Sequence, residues 1–106
     1  MVKAVQFKTF KPYNFVMDLN NVKVKIHLRY NSYLNSYYID VDKQISGKYV
    51  NVINSVALTT GVNLFMQHPQ LNLGEFYIIP LKTDLYDKDP TAETIQDYMI
   101  WSVTKD

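Results

Sequence analysis

From Val22 to Tyr30 apolar and basic residues alternate without exception: Val22, Val24, Ile26, Leu28 and Tyr30 are interleaved with Lys23, Lys25, His27 and Arg29. A period of two is the signature of a strand with one buried and one wet face, whereas a helix would scatter those cations through its core. Tyr13, Phe15, Met17 and Leu19 alternate in the same way with Asn14, Val16 and Asp18, and Asn20-Asn21 joins the two runs. Asparagine tolerates positive φ, so a two-residue hairpin is predicted. That turn sets Leu19 against Val22, Met17 against Val24, Phe15 against Ile26, and Asp18 against Lys23. Beyond a turn-forming segment from Asn31 to Ser36, the residues Tyr37, Ile39 and Val41 alternate with Tyr38, Asp40 and Asp42. Setting Tyr30 against Tyr37 brings Leu28 to Ile39 and Ile26 to Val41 on the inner face, with His27 meeting Asp40 and Lys25 meeting Asp42 outside. A slip of one residue would invert every side chain, so agreement on both faces fixes a three-stranded meander.

The remaining chain is read from local signals. Tyr49–Ile53 and Ser55–Thr59 are strand-like, with a bulge or bend at Asn54, and Thr60-Gly61 ends them. Val62–Gln67 is expected to form a helical turn stopped at His68-Pro69, because the residue before proline avoids the helical region. Gly74 precedes the apolar strand Phe76–Ile79, and Pro80 sets that strand at an edge or ends it. Asp89 followed by Pro90 has the form of a capped helix start, expected to be brief, with Tyr98–Val103 as a closing strand. A helix running from Pro90 to Trp101 is the alternative. Such an inventory makes an all-β fold, a small antiparallel barrel or sandwich of six to eight short strands with one or two helical turns, occupying residues 1–106 as one domain.

Composition narrows the chemistry. The 106 residues are 47% hydrophobic and 20% charged, the balance of a chain with one packed core, and nine Tyr and five Phe suit pleated surfaces. There is no Cys, so disulfides, thiolate nucleophiles and Cys-based zinc sites are excluded. No stretch approaches the roughly 20 apolar residues of a membrane-spanning helix, and the first residues lack the apolar region of a secretion signal. The net charge of +1 is unevenly spread: six bases and one acid precede Tyr30, while seven acids and three lysines follow Leu73. Complementary ends of this kind pair within one fold or between subunits.

Each candidate site has a simpler structural reading. His27 and Asp40 resemble an acid–base dyad, but the flanking Lys25 and Asp42 make a cross-strand charge ladder the expected role. His68 has no metal-spaced partner. Asp84, Asp87, Asp89 and Glu93 offer carboxylates, yet counting from Asp87 the positions an EF-hand reserves for Gly and Glu hold Ala92 and Tyr98, so a solvated acidic loop is expected and no metal. The three glycines are dispersed, which leaves no phosphate-cradling loop and no cofactor site. Lys23, Lys25, His27 and Arg29 beside Tyr33, Tyr37 and Tyr38 outline an alternative, single-stranded nucleic-acid binding of the oligonucleotide-binding barrel type. The acids set opposite compensate that charge and make nucleic acid an unfavoured partner. A tyrosine rim from Tyr33 to Tyr38 also suits carbohydrate or receptor contact.

Several segments resemble the phage tail baseplate plug proteins. They are Tyr13-Asn14-Phe15, Leu19-Asn20-Asn21 running into Val22–Asn31, Tyr37–Val41, Gly61–Phe65, Leu73–Phe76, and Asp89-Pro90-Thr91 before the closing strand. Asn21 stands where that family often has Gly, and Tyr37 and Tyr38 where Trp is common; Asn still makes the turn and Tyr still fills an aromatic slot. The resemblance implies a non-enzymatic virion component at the centre of a tail baseplate. It also implies contact with hub, tube or other baseplate proteins, and several symmetric copies, a trimer being one arrangement. No catalytic residue, cofactor or metal is implied. The expected interaction surface comprises Tyr33, Tyr37, Tyr38, Asp84, Asp87 and Asp89.

Overall fold

The computed structural model describes residues 1–105. Among the described residues there are seven strands: β1 (Val2–Gln6), β2 (Tyr13–Leu19), β3 (Val22–Asn31), β4 (Ser36–Ile45), β5 (Lys48–Ala57), β6 (Glu75–Pro80) and β7 (Tyr98–Val103). They form two antiparallel sheets, ordered β2-β3-β4-β5 and β1-β7-β6, and neither closes into a barrel. The class is all-β, as the alternation requires.

In the larger sheet the expected register is found pair for pair, from Leu19 opposite Val22 to Phe15 opposite Ile26, and from Tyr30 opposite Tyr37 to Ile26 opposite Val41. Its cause is local. Asn20 and Asn21 have φ of 52° and 65°, the double positive φ that a tight hairpin needs to match strand twist. Ser46 and Gly47 repeat the device between β4 and β5, with φ of 52° and 81°.

Four features depart from the sequence reading. The two segments expected at 49–59 are one strand, β5, whose ladder with β4 shifts register twice. Asp42 faces Asn51 while the adjacent Val41 faces Ile53, so Val52 is an extra residue; Val41 and then Ile39 face Ile53 and Val56, so Asn54 and Ser55 share Asp40. Ser55 has φ of 56°, and its N–H donates to the Asp40 carboxylate at 2.7 Å, a tertiary bond that holds the bulge. Pro69 opens a 3-10 turn, Pro69–Leu71, in place of simply ending the turn before it, because its fixed φ suits a first helical position. No helix starts at Asp89. Its carboxylate instead accepts the Thr60 N–H at 3.0 Å, and the helical turn comes later, at Ile95–Asp97, directly before β7. With Thr83–Leu85 there are three such turns among the described residues. The fourth feature is β1, unread in the sequence, which pairs with β7 from Val2–Val103 to Gln6–Met99.

β6 is an edge strand ending at Pro80, and the segment after β5 covers its open side: Gly61 N–H donates to the Ile78 carbonyl at 3.1 Å and Leu64 N–H to that of Phe76 at 2.8 Å. Gly74 enters β6 at φ 81°, where a Cβ would lie 2.3 Å from the Val103 carbonyl oxygen, so no other residue fits without moving β7. Both sheets feed one buried core, with Val24, Ile26, Leu28 and Ile39 from one side and Phe76, Ile78, Tyr98 and Ile100 from the other.

Candidate interaction surface

The outer face of the larger sheet holds the chain's most enzyme-like groups, and they are paired with one another. His27 and Asp40 are opposite in the backbone register, as expected, but their side chains do not meet. His27 Nε2 lies 2.8 Å from Asp42 Oδ2 and Nδ1 lies 2.9 Å from Asn14 Oδ1, while the Arg29 guanidinium donates to Asp40 at 2.9 Å. The pairing is displaced diagonally by one inter-residue step on the same face. One Asp40 oxygen is taken by the Ser55 N–H in the bulge, and Asn51 Nδ2 donates to Asp42 at 3.1 Å. Lys25, expected to pair with Asp42, stands over the Tyr49 ring at 4.6 Å, and Arg29 over Tyr38 at 5.5 Å. Burial alone would raise the Asp40 carboxyl, but the Ser55 N–H and Arg29 outweigh it and hold it below the usual carboxylate range. Burial acts the same way on Asp42 and is likewise outweighed by bonds from His27 and Asn51. Both ring nitrogens of His27 are engaged, so the face is a compensated charge ladder in which the basic stripe is matched by interleaved acids.

One end of the larger sheet carries the turn between β3 and β4. There the β3–β4 turn is built by side chains: Asn31 Oδ1 accepts from the N–H groups of Tyr33 and Leu34 at 3.0 and 3.3 Å. Asn35, at φ 47°, accepts from the Tyr30 hydroxyl at 2.7 Å and from the Ala92 N–H at 3.1 Å, and donates to Glu93 at 3.0 Å. The Asn35 bond lowers the Glu93 carboxyl below its ordinary value. Tyr33 and Leu34, so held from behind, are 98% and 74% exposed. An exposed tyrosine beside an exposed leucine on a turn tied down at both flanks loses little further freedom on binding.

The residues expected on the interaction surface therefore separate. Tyr33, Asp84, Asp87 and Asp89 are exposed, and the loop carrying the acids is tied to the same end through Thr60 Oγ1 donating to the Lys88 carbonyl at 2.6 Å and the Tyr98 hydroxyl to the same oxygen at 2.7 Å. Asp89 is spent on the Thr60 N–H. Tyr38 lies half-buried on the outer sheet face under Arg29. Tyr37 does not belong to the surface: it is 1% exposed, its hydroxyl donates to the Phe10 carbonyl, and burial pushes it up to about 12. Its parity with Ile39 and Val41 carried that information. Leu34 and Asn35, within the Tyr33–Tyr38 segment, were not singled out, since a turn-rich segment shows no periodicity to rank its members.

Among the described residues no three His, Asp or Glu side chains converge as metal ligands, and no ion pair joins the basic N-terminal third to the acids beyond Leu73. No helix is long and apolar enough to cross a membrane. Two open sheets over one core, with a self-compensated polar face and a braced, exposed turn, define an all-β module. The chain matches the family described as "Cyanophage baseplate Pam3 plug gp18" over residues 2–103 and belongs to that family. That is a structural family of the phage baseplate, which puts the chain in the virion tail in association with other baseplate proteins. No curated protein sequence matches the chain.

Proposed function

We propose that this chain, acting as one domain over residues 1–106, is the central plug of a tail baseplate and is seated on hub or tube proteins in several symmetric copies, without catalytic function. The observation that carries the reading is the loop end, where Tyr33 and Leu34 project from a turn whose backbone is fixed by Asn31 and Asn35. Asp84 and Asp87 on the neighbouring loop, with Tyr38 at the flank, add charge and an aromatic rim that steer and orient a partner. Membership of a baseplate plug family supports the same direction.

The test is titration of the purified chain against the tail hub and tube proteins encoded beside it. Binding is expected, weakened at least about tenfold by the pair Tyr33→Ala and Leu34→Ala, as befits an anchor pair in an interface. A chain that binds none of these proteins, or a variant that binds as well as the parent, overturns the reading.

A further inference from the structure

Each sheet has two edges, and three of the four are defended against the addition of another strand. β5 carries two bulges, β6 ends at Pro80 with the segment after β5 laid along it, and β1 is five residues long with Lys3 on its inward side. β2 has no such device. Its seven residues pair with β3 without a shift and include no Pro, Gly or Lys. Leu19 and Val22 flank a two-residue turn and exchange both main-chain bonds, as does every second pair along the ladder. The N–H and C=O groups of Asn14, Val16 and Asp18 therefore face out from the edge. The Asp18 carbonyl accepts Lys3 Nζ from β1 at 3.0 Å, and the others have no partner among the described residues. Beneath this edge Tyr13 and Phe15, with ring centroids 5.4 Å apart, pack on the core while staying partly open. The charge is one-sided too. Asp18 faces Lys23 in register, which leaves Lys3, Lys8 and Lys11 around β2, none of them in an ion pair among the described residues.

We propose that the edge of β2 binds an extended segment of a partner protein as a further strand of the larger sheet, the segment being apolar on its inward side and acidic at both ends. The inference goes beyond the plug reading, which sets its contact at Tyr33 and Leu34, and does not depend on it. Three observations choose this occupant. Donors and acceptors that alternate along an edge match the main chain of an extended polypeptide. A nucleic-acid backbone offers acceptors alone and would leave the Asn14 and Val16 carbonyls unmet. Tyr13 and Phe15 give alternate side chains of the added strand an apolar ledge to cover. Lys8 and Lys11 stand just before Tyr13, and Lys3 lies beside Asp18, so cations flank both ends of the paired stretch. Acids placed there are attracted and bases repelled. Lys3 also sets the length. Its hold on the Asp18 carbonyl stops the pairing after Met17, so the stretch from Tyr13 takes up a segment of about five residues, roughly 17 Å.

The probe is the synthetic peptide Asp-Glu-Val-Thr-Val-Thr-Val-Glu-Asp, which reads the same in either direction, titrated into the full chain by NMR. Binding is expected with a Kd on the order of 0.1 mM, weakened at least about fivefold in about 0.3 M salt. At saturation the amide exchange of Asn14 and Val16 is expected to slow at least about tenfold, while that of Phe15, already bonded to β3, changes little. Side-chain contact alone does not produce that alternation. Val16→Pro removes an N–H that the ladder does not use, a change tolerated at an edge, and is expected to weaken the peptide at least about tenfold. If that variant fails to fold, Lys8→Glu combined with Lys11→Glu decides, both side chains being exposed, with a loss of at least about fivefold expected. No binding at about 2 mM peptide, equal binding of the peptide with Lys in place of its acids, a folded Val16→Pro chain or a Lys8→Glu, Lys11→Glu chain that binds like the parent, or protection that does not alternate overturns the proposal. A single-stranded oligonucleotide that binds more tightly than the peptide, without protecting Asn14 and Val16, would assign the lysines to nucleic acid and overturn it likewise. Hub or tube binding without peptide binding removes this inference and leaves the plug reading standing; peptide binding without hub or tube binding does the reverse.

Discussion

Asp40 shows how one side chain serves two strands. Its carboxylate lies on the wet face of the sheet yet is 8% exposed, because Arg29 covers one oxygen and the bulged Ser55 N–H takes the other. Asp40→Ala would strand a partly buried donor and release the bulge. A loss of roughly 1–3 kcal/mol is expected, read from the urea midpoint of unfolding. The same bonds make stability depend on pH. Asp40 and Asp42 are held below their ordinary values, so they bind protons less readily folded than unfolded. Their contribution is fully present above the unfolded carboxylate value of about 4 and is lost as pH falls through their lower native values. Urea midpoints measured from neutral pH downward should drop below about pH 4, with a shallower drop when both residues are replaced by Asn.

The register of β2, β3 and β4 was legible because each strand had to satisfy two faces at once, and only one alignment joins apolar to apolar and acid to base. That register is testable one residue at a time. Ile26 is fully buried and its truncation to Ala is expected to cost about 2–5 kcal/mol, whereas Val16, half exposed on the opposite face of the neighbouring strand, should change stability by less than about 0.5 kcal/mol. A shift of register by one would exchange the two results in a urea titration. In the smaller sheet the strands at Phe76–Ile79 and Tyr98–Val103 were legible, but their pairing was not, for the converse reason. β6 and β7 carry apolar residues on both faces and so lack alternation, and β1 finds its partner about a hundred residues away, at Val103. The bulge or bend expected around Asn54 is found there as a bulge, while the second shift, at Val52, was not legible; Asp40 reaching across from β4 holds the first. Asp89-Pro90 carried the right residues for a helix start, but Thr60 claimed the cap.

Across the fold, long-range side-chain bonds join the sheets where backbone ladders do not. Asn35 ties the β3–β4 turn to Ala92 and Glu93, some 57 residues away, and Asn20 does the same at the opposite end by donating to the Asn72 carbonyl at 2.8 Å and accepting the Lys105 N–H at 2.7 Å. Replacing Asn35 with Gly keeps the positive φ yet removes the ties. Faster amide exchange at Tyr33 and Leu34 is expected, with the core strands unchanged, and weaker capture of hub or tube proteins through lost preorganisation. Of the tyrosines the sequence offered near this turn, Tyr33 is exposed and Tyr37 is buried, while Leu34 beside Tyr33 is exposed. The twice-bulged β5 has a wider consequence. It is ten residues long and carries one charge, Lys48, a composition that would otherwise template the backbone of any extended chain nearby. Its broken ladder cannot be continued in register, so an extended chain meeting this edge is not zipped onto it by main-chain bonds. Recognition there is left to side chains, and with it the power to choose a neighbour.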